Sequence, residues 1–416
     1  MHTSEYKTIS GFLQGSVAAP ASKSVLQRAV AAAFLAGGKS TLDGYTHSND
    51  VDVAIQIIRS LGADVTMSNQ QLSITRSAFG RSNKIYTGES GLSTRLFTPL
   101  AALTGNEIHF SGSGSILKRS MQFMVEALAQ FGVEMHTNNG FMPYTIKGKL
   151  RAAKAYIDGS QSSQLISGLL MALPLLNDDS FIEVNNLASK PYIDLTLQVM
   201  NEFGVKAENL NYQSFFIPGN QHYDSANFWV EGDWSGAAFW FVAAAISGDI
   251  LISGLDNNSM QADKRILEAL DLAGVGYALQ NIDFIVRQAE IKPFVFDATH
   301  CPDLFPPLAV LAAYANGKSS IKGVSRLFGK ESNRALAIAN EFLKQGIKVH
   351  IDGDEMIIWG GKVSGGQNFD AHNDHRMAMA GAILALKAEN PITVVGADAV
   401  AKSYPDFFNH LKLLLH

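Results

Sequence analysis

The segment IIRSLGADV (57–65) reads as the last turns of a helix, a glycine, and the first residues of a strand. A glycine just past a helix suits the left-handed C′ position, and a strand can follow at once. The same order returns in EALAQFGVEM (126–135), QVMNEFGVKA (198–207), EALDLAGVGYA (268–278) and EFLKQGIKV (341–349). The glycines are Gly62, Gly132, Gly204, Gly274 and Gly346, separated by 70, 72, 70 and 72 residues, so the chain is built on a repeat of roughly seventy residues.

A second series interleaves with the first. Polar residues lead into Ala/Leu-rich helices at Ser22, Ser90, Ser163, Ser235, Asp303 and Asp374, at spacings of 68, 73, 72, 68 and 71 residues. Short alternating or β-branched runs such as EIHFSG, FIEVNN, DILISG and ITVVGA fill the gaps and read as strands. Each unit is then a loop, a buried small-residue helix, a strand, an amphipathic helix and further strands. Six such units divide three and three. Chance spacing of common capping signals is the competing explanation, and two interleaved series in phase argue against it.

The totals agree with this organisation. A chain of 416 residues is too long for one ordinary core, so two domains are expected. The 47% hydrophobic and 17% charged residues are a globular composition. A net charge of −5 disfavours a general nucleic-acid binder, so any anion site has to be local. Cys301 is the single cysteine, which excludes an internal disulfide or thiolate metal cluster and fits a reducing compartment. The N-terminus MHTSEYKTISGFLQG lacks an apolar signal-peptide core and reads as a first strand. No run reaches the ~18–20 apolar residues of a membrane span. The expectation is a cytoplasmic protein of two domains.

The residues at the heads of the buried helices point to anions. They include Lys23 and Arg28, Glu89 and Arg95, Ser162 to Gln164, Asp233, Asp303, and Asp374 to Arg376. The second helices begin near Arg119, near Lys190 and Tyr192, near Asp263, and near Lys330, Glu331 and Arg334; Lys402 opens the last segment. A solvated charged face is the ordinary explanation of such lysines and arginines. Here they recur at helix N-termini, where cations carry a dipole penalty of ~0.3–1 kcal/mol each. Free N–H groups beside basic side chains are what an anion needs. Other motifs fail: AGGKST (36–41) lacks the first glycine of a P-loop and follows a helix, and GSGSIL (112–117) lacks the third glycine of a dinucleotide fingerprint. His372 with His375, or His300 with Cys301, has no third metal ligand at suitable spacing.

Seven stretches resemble one family. PASKSVLQR (20–28), GSQSSQ (159–164), SKPYIDLTL (189–197), NSMQAD (258–263), GKESNR (329–334), NDHRMAM (373–379) and AKSYPDFF (401–408) are similar, in order along the chain, to the EPSP synthase (3-phosphoshikimate 1-carboxyvinyltransferase) family. The resemblance implies an α/β (α+β) fold, a two-domain inside-out α/β barrel in which each domain has three βαβαββ units with buried helices. It implies a C-terminal-type domain of 1–18 with 232–416, an N-terminal-type domain of 19–231, and an active site in the cleft between them that closes on the acceptor. The implied reaction transfers the enolpyruvyl group of phosphoenolpyruvate to shikimate 3-phosphate, by a monomer using neither cofactor nor metal.

Residue by residue, the resemblance assigns shikimate 3-phosphate to Lys23, Ser24, Arg28, Ser162, Ser163, Gln164, Ser189, Tyr192, Asp303, Arg326 and Lys330. It assigns phosphoenolpyruvate to Lys23, Gly91, Arg119, Gln164, Arg334, Arg376 and Lys402, the forks of Arg334 and Arg376 suiting a carboxylate. Asp303 is the implied base toward the 5-hydroxyl, and Glu331 and Lys23 the candidates for protonating the methylene carbon. Taken alone, Asp303 reads as a helix cap, Glu331 as a first-turn carboxylate, and Ser162 and Ser163 as caps.

The chain departs from the family pattern at Ala21, where glycine is usual, and at Arg326, where asparagine is frequent. In GESGLSTRLF (88–97), Glu89, Leu92 and Leu96 replace the usual Asn, Thr and Pro, and altered sensitivity to glyphosate is expected from them. The rival UDP-N-acetylglucosamine enolpyruvyl transferases carry a loop cysteine near the position of Arg119, and SGSGSILKRS (111–120) has none. A non-catalytic anion-binding protein on the same scaffold would not need Asp303, Glu331 and Lys23 together.

Overall fold

Gly62, Gly132, Gly204, Gly274 and Gly346 all adopt positive φ, between 74° and 118°, each just beyond a helix. In the computed structural model, which describes residues 4–416 except 9 and 78, the chain divides into two units. A contiguous unit comprises residues 23–230; a split unit combines 1–22 with 231–416.

The contiguous unit holds α1 (Lys23–Leu35), α2 (Asn49–Leu61), α3 (Gly91–Ala102), α4 (Gln122–Ala129), α5 (Ser163–Ala172) and α6 (Pro191–Glu202). The split unit holds α7 (Trp234–Ser247), α8 (Ile266–Leu272), α9 (Phe305–Ala313), α10 (Arg334–Lys344), α11 (His375–Leu384) and α12 (Phe407–Leu414). Odd-numbered helices are rich in Ala, Leu and Gly and have no polar stripe, so they can only be interior. Every residue of α9 and of α11 is buried. Even-numbered helices bury one face, as α2 does with Val51, Ala54, Ile55, Ile58 and Leu61. Within the split unit α7, α9 and α11 pack on one another, and within the contiguous unit α3 packs on α5 and α1. Fully buried Trp234, Phe239, Trp240 and Phe241 make α7 the heaviest apolar element, each contributing about 1.5–3 kcal/mol.

Small sheets cover these helices. In the contiguous unit, Lys84–Tyr86 runs parallel to Ile108–Ser111, which pairs antiparallel with Phe141–Lys147 of a hairpin closed by Glu134–Asn138. Five of the six sheets among the described residues have this order, two parallel strands and then a hairpin. Three edge strands come from distant chain: Asn227–Trp229 lies beside Lys39–Asp43, Leu13–Ala18 beside Gly248–Ser253, and Glu5–Lys7 antiparallel to Thr393–Val395. The last pairing gives the sixth sheet three strands, so the sixth repeat departs from the βαβαββ pattern by lacking a hairpin of its own. The single N-terminal strand of the sequence reading becomes two, Glu5–Lys7 and Leu13–Ala18; residues 1–3 and 9 of that segment lie outside the described residues.

Where the chain passes between units, its two strands bond to each other inside the split unit. Ser22 N–H donates to the Glu231 carbonyl at 2.8 Å, and Asp233 N–H donates to Pro20 at 2.8 Å. Among the described residues no helix is long and apolar enough to cross a membrane.

Candidate functional site

In the split unit the heads of three helices meet on one arginine. Arg334, the first residue of α10, is fully buried and spends four of its five N–H groups on carboxylates. Nε donates to Asp374 at 2.9 Å and Nη2 to the same carboxylate at 3.3 Å; Nη1 donates to Asp303 at 2.8 Å and Nη2 to Glu331 at 2.8 Å. Burial opposes its charge, but Asp374, Glu331 and Asp303 outweigh burial and raise its pKa. Asp303 lies in the 3-10 turn Pro302–Leu304 ahead of α9, and its carboxylate meets side chains instead of capping that helix. Besides Arg334 it receives Lys330 at 3.4 Å and Arg376 Nη2 at 3.3 Å. Burial pushes the Asp303 carboxyl up, but Arg376, Lys330 and Arg334 prevail and hold it well below the usual carboxylate range.

Asp374 is the N-cap of α11, accepting from the Arg376 N–H at 2.9 Å and from Ser332 Oγ at 3.1 Å. Two successive left-handed residues, His372 and Asn373, precede it with φ near 51° and 52°, an uncommon conformation for non-glycine residues. Lys402, at the end of a 3-10 turn, donates to the Asn373 carbonyl at 2.7 Å. Arg376 is 5% exposed, and its Nη2 donates to Asp303, which leaves N–H groups for an anion. Arg326 sits in the turn Val324–Leu327, where burial lowers its pKa against the opposing pull of Asp354 and Asp303.

Behind Asp303 lies a carboxyl of opposite character. Asp263 is 1% exposed; its Oδ2 accepts from Ser235 Oγ, and its Oδ1 is buried without a partner. Burial, and then Asp303, push its pKa up to about 7, with Arg376 opposing. The two carboxyls titrate as a pair in which Asp303 takes the charge and Asp263 keeps the proton.

The contiguous unit assembles a different surface. Arg28 of α1 is 1% exposed and bonds only neutral oxygens: Thr196 Oγ1 at 2.8 Å, the Ser24 carbonyl at 2.8 Å, the Tyr192 carbonyl at 3.2 Å and Ser167 Oγ at 3.5 Å. Burial lowers its pKa to about 10, the condition of a cation lacking an anion. The bonds to Tyr192 and Thr196 tie the head of α1 to that of α6, where Ser189 carries a left-handed backbone, φ 58°, and the bond to Ser167 reaches α5. Lys23 reaches Asp50 at 3.0 Å. Ser162 caps α5 by accepting from the Gln164 N–H at 3.1 Å, and Ser163 is buried as its first residue. Gln164 Oε1 accepts from Arg95 at 2.8 Å. A Cβ on Gly91, at the head of α3, would lie 2.7 Å from Arg119 Nη1 and 3.4 Å from Arg95 Nη1, so two guanidinium groups converge on this bare backbone. Leu92 and Leu96 are buried along the same helix.

The residues expected from the sequence therefore fall into two groups, one in each unit. Asp303, Arg326, Lys330, Glu331, Arg334, Arg376 and Lys402 belong to the split unit. Lys23, Ser24, Arg28, Gly91, Arg119, Ser162, Ser163, Gln164, Ser189 and Tyr192 belong to the contiguous one. Sequence reasoning set Arg95 and Asp263 at helix heads without assigning either to a substrate, and it gave no role to Asp50 or Thr196; Asp263 and Thr196 also lay within quoted motifs. Of the two cap candidates for α5 the structure uses Ser162, and the cap of α7 shifts from Ser235 to Asp233, whose carboxylate accepts from the Ser235 and Gly236 N–H groups. His372 bonds Glu341 at 2.9 Å, and Cys301 is fully buried.

Comparison with known proteins extends this picture to the whole chain. The family model for EPSP synthase (3-phosphoshikimate 1-carboxyvinyltransferase) matches residues 7–411. The 3-phosphoshikimate 1-carboxyvinyltransferase of Clostridium kluyveri is 36% identical over 97% of this chain and 95% of its own length; that of Clostridium acetobutylicum is 36% identical over the same shares. Among solved structures, EPSP synthase from Acinetobacter baumannii superposes with a TM-score of 0.83 at 24% identity, over 99% of this chain and 98% of that one. The enolpyruvyl transferase NikO from Streptomyces tendae gives 0.78 at 17% identity, over 99% and 96%. The structural matches establish the inside-out α/β fold; at these identities they carry the fold alone.

Proposed function

The chain belongs to the EPSP synthase family, the 3-phosphoshikimate 1-carboxyvinyltransferases, and we propose which of its residues carry the reaction. The enolpyruvyl group of phosphoenolpyruvate passes to the 5-hydroxyl of shikimate 3-phosphate, and phosphate is released. The acceptor hydroxyl loses a proton as its oxygen bonds to C2 of the donor, while the methylene carbon C3 gains one. Phosphate then leaves C2, and C3 returns a proton to restore the double bond. Each assisted proton transfer is worth about 10²–10⁴-fold.

Asp303 takes the hydroxyl proton, and Glu331 and Lys23 serve C3 and the departing phosphate. The observation that carries this assignment is Arg334, which fixes Asp303 on Nη1 and Glu331 on Nη2. Two carboxylates on adjacent nitrogens of one guanidinium are held at the close, fixed separation that two proton transfers within one small substrate pair require. Asp303 is fully ionised before substrate arrives, and a base held so far down is weak. Anionic ligands that draw on Lys330, Arg334 and Arg376 weaken the field on Asp303 and raise its proton affinity. Substrate binding thus strengthens the base.

For the acceptor, Ser162, Ser163, Gln164, Ser189 and Tyr192 supply neutral donors, with Lys23, Ser24 and Arg28 from the same unit and Arg326 and Lys330 from the other. Arg28 has one N–H beyond its four internal bonds, so much of its effect is to hold Ser24 and Tyr192 in place. For the donor, Gly91, Arg119, Gln164 and Lys23 act with Arg334, Arg376 and Lys402. The buried lone Cys301 supports a cytoplasmic setting, and a monomer suffices because one chain supplies every residue assigned to the two substrates.

Phosphate release from phosphoenolpyruvate, measured with shikimate 3-phosphate or a UDP-sugar as acceptor, tests the reading. Turnover is expected with shikimate 3-phosphate alone. Turnover with UDP-N-acetylglucosamine instead would transfer the chain to the rival activity, although its 112–119 loop has no cysteine.

A further inference from the structure

The short 3-10 helix Gly114–Lys118 precedes Arg119 and needs an acceptor for its leading N–H groups. Its own N-cap residue does not supply one. Ser113 has the extended backbone of a cap, but its side chain makes no capping bond, and its hydroxyl instead accepts from Tyr86 OH at 2.8 Å. The role is filled from another segment: Glu89 Oε2 accepts from the Ser115 N–H at 2.9 Å. Gly114 makes this possible. Its φ is +57°, and a Cβ there would run into the Glu89 carboxylate.

Ser115 passes the constraint on. Its Oγ accepts from Arg119 Nη2 at 3.0 Å, four residues along. The other terminal nitrogen, Nη1, is the one that faces Gly91 at the head of α3. Arginine side chains lose about 2 kcal/mol of rotamer entropy when fixed, so a guanidinium already held in place binds an anion more tightly than a mobile one. The Ser113 N–H also donates to the Gly88 carbonyl at 2.8 Å, which stitches the loop to the residues preceding Glu89. One stretch, 88–91, therefore both bares the end of α3 and aims the arginine at it.

We propose that Glu89 is a positioning residue for the donor site: capping the 114–118 turn from outside, it fixes Arg119 through Ser115 in the orientation that receives phosphoenolpyruvate. The inference rests on the reading of Arg119 as a donor-site residue. It also gives the glutamate in GESG a use that the usual asparagine, one bond shorter, would reach less well.

Steady-state kinetics on four variants test it. Arg119→Ala sets the scale and is expected to raise KM for phosphoenolpyruvate at least tenfold. Glu89→Ala is expected to raise that KM about tenfold, the loss of one charge-assisted bond, with KM for shikimate 3-phosphate within about twofold. Glu89→Gln keeps an oxygen acceptor and recovers most of the loss, while Gly114→Ala, which displaces the carboxylate without removing it, resembles Glu89→Ala. In the double variant Glu89→Ala/Arg119→Ala, the glutamate change adds nothing. If Arg119→Ala leaves the donor KM unmoved, the donor-site reading of Arg119 fails and takes the proposal with it. If Arg119→Ala acts as expected but Glu89→Ala does not, the proposal alone is overturned. Equal elevation of both KM values, or multiplying effects in the double variant, overturns it as well. Should Glu89→Ala not fold, Glu89→Gln and Gly114→Ala decide by the same criteria.

Discussion

Arg334→Ala removes the one cation that three carboxylates share, and the size of the loss follows from their burial. Asp303 and Glu331 have side chains 19% and 20% exposed, so water replaces part of what they lose, and Asp303 keeps Lys330 and Arg376. Asp374 is 0% exposed and, among the described residues, retains Ser332, the Arg376 N–H and the more distant His375. Stripping the partner from one fully buried ion pair costs about 3–5 kcal/mol. The split unit should lose that amount, most of it traceable to Asp374. Urea unfolding followed by tryptophan fluorescence reads this unit selectively, because Trp234 and Trp240 are fully buried within it while Trp229 of the contiguous unit is 72% exposed. The companion variant is Asp374→Asn, which keeps an oxygen for the helix cap and removes the charge. Alone it should destabilise; in the Arg334→Ala background it should restore at least about 1–2 kcal/mol, because it removes the stranded charge. A loss below about 1 kcal/mol for Arg334→Ala, or no recovery in the double variant, would refute the account of Arg334 as the counter-charge of a buried carboxylate.

Two further outcomes follow from the same cluster. Asp303→Ala should lower kcat by at least ~100-fold while the protein still binds shikimate 3-phosphate, measured by calorimetry; full activity would remove Asp303 from the role of base. Asp263 sets a pH dependence of stability. Its folded pKa of about 7 lies above the unfolded value near 3.9, so the folded state holds the extra proton, and stability falls as pH rises from about 4 to about 7. The decline attributable to this carboxyl is at most about 4 kcal/mol, and Asp263→Asn should abolish it, gaining on the parent protein steadily between pH 4 and 8. A stability difference that stays constant with pH would contradict the assignment.

The repeat was legible because its signals are local. A glycine forced to positive φ after a helix, and a helix with no polar face, declare themselves within a dozen residues. That is why all five glycines and all six buried helices lie where the spacing puts them. The cap positions were less legible, since neighbouring residues such as Asp233 and Ser235 both suit a cap and the backbone angles choose between them. The site was legible as a set of residues through resemblance, but not as a network. Nothing near position 334 says that its guanidinium is shared with residues 303 and 374, because those contacts are made by packing helices far apart in sequence. The same holds for Asp263, whose proton depends on burial and on the charge of Asp303, and for Glu89, which caps a turn twenty-six residues away.

The division of the chain also dictates an order of assembly. The strand Leu13–Ala18 precedes the contiguous unit, but its partner Gly248–Ser253 emerges only after that unit, 235 residues later (248 − 13). Closing so long a loop from an unstructured chain costs about 5 kcal/mol in configurational entropy. Once residues 23–230 have folded, the chain on either side of them is already side by side, as the bond between Ser22 and Glu231 records, and most of that entropy has been removed. During synthesis the inserted unit becomes the template that brings the two pieces of the other together. A lesion that slows its folding would leave an unpaired strand waiting at the start of the chain.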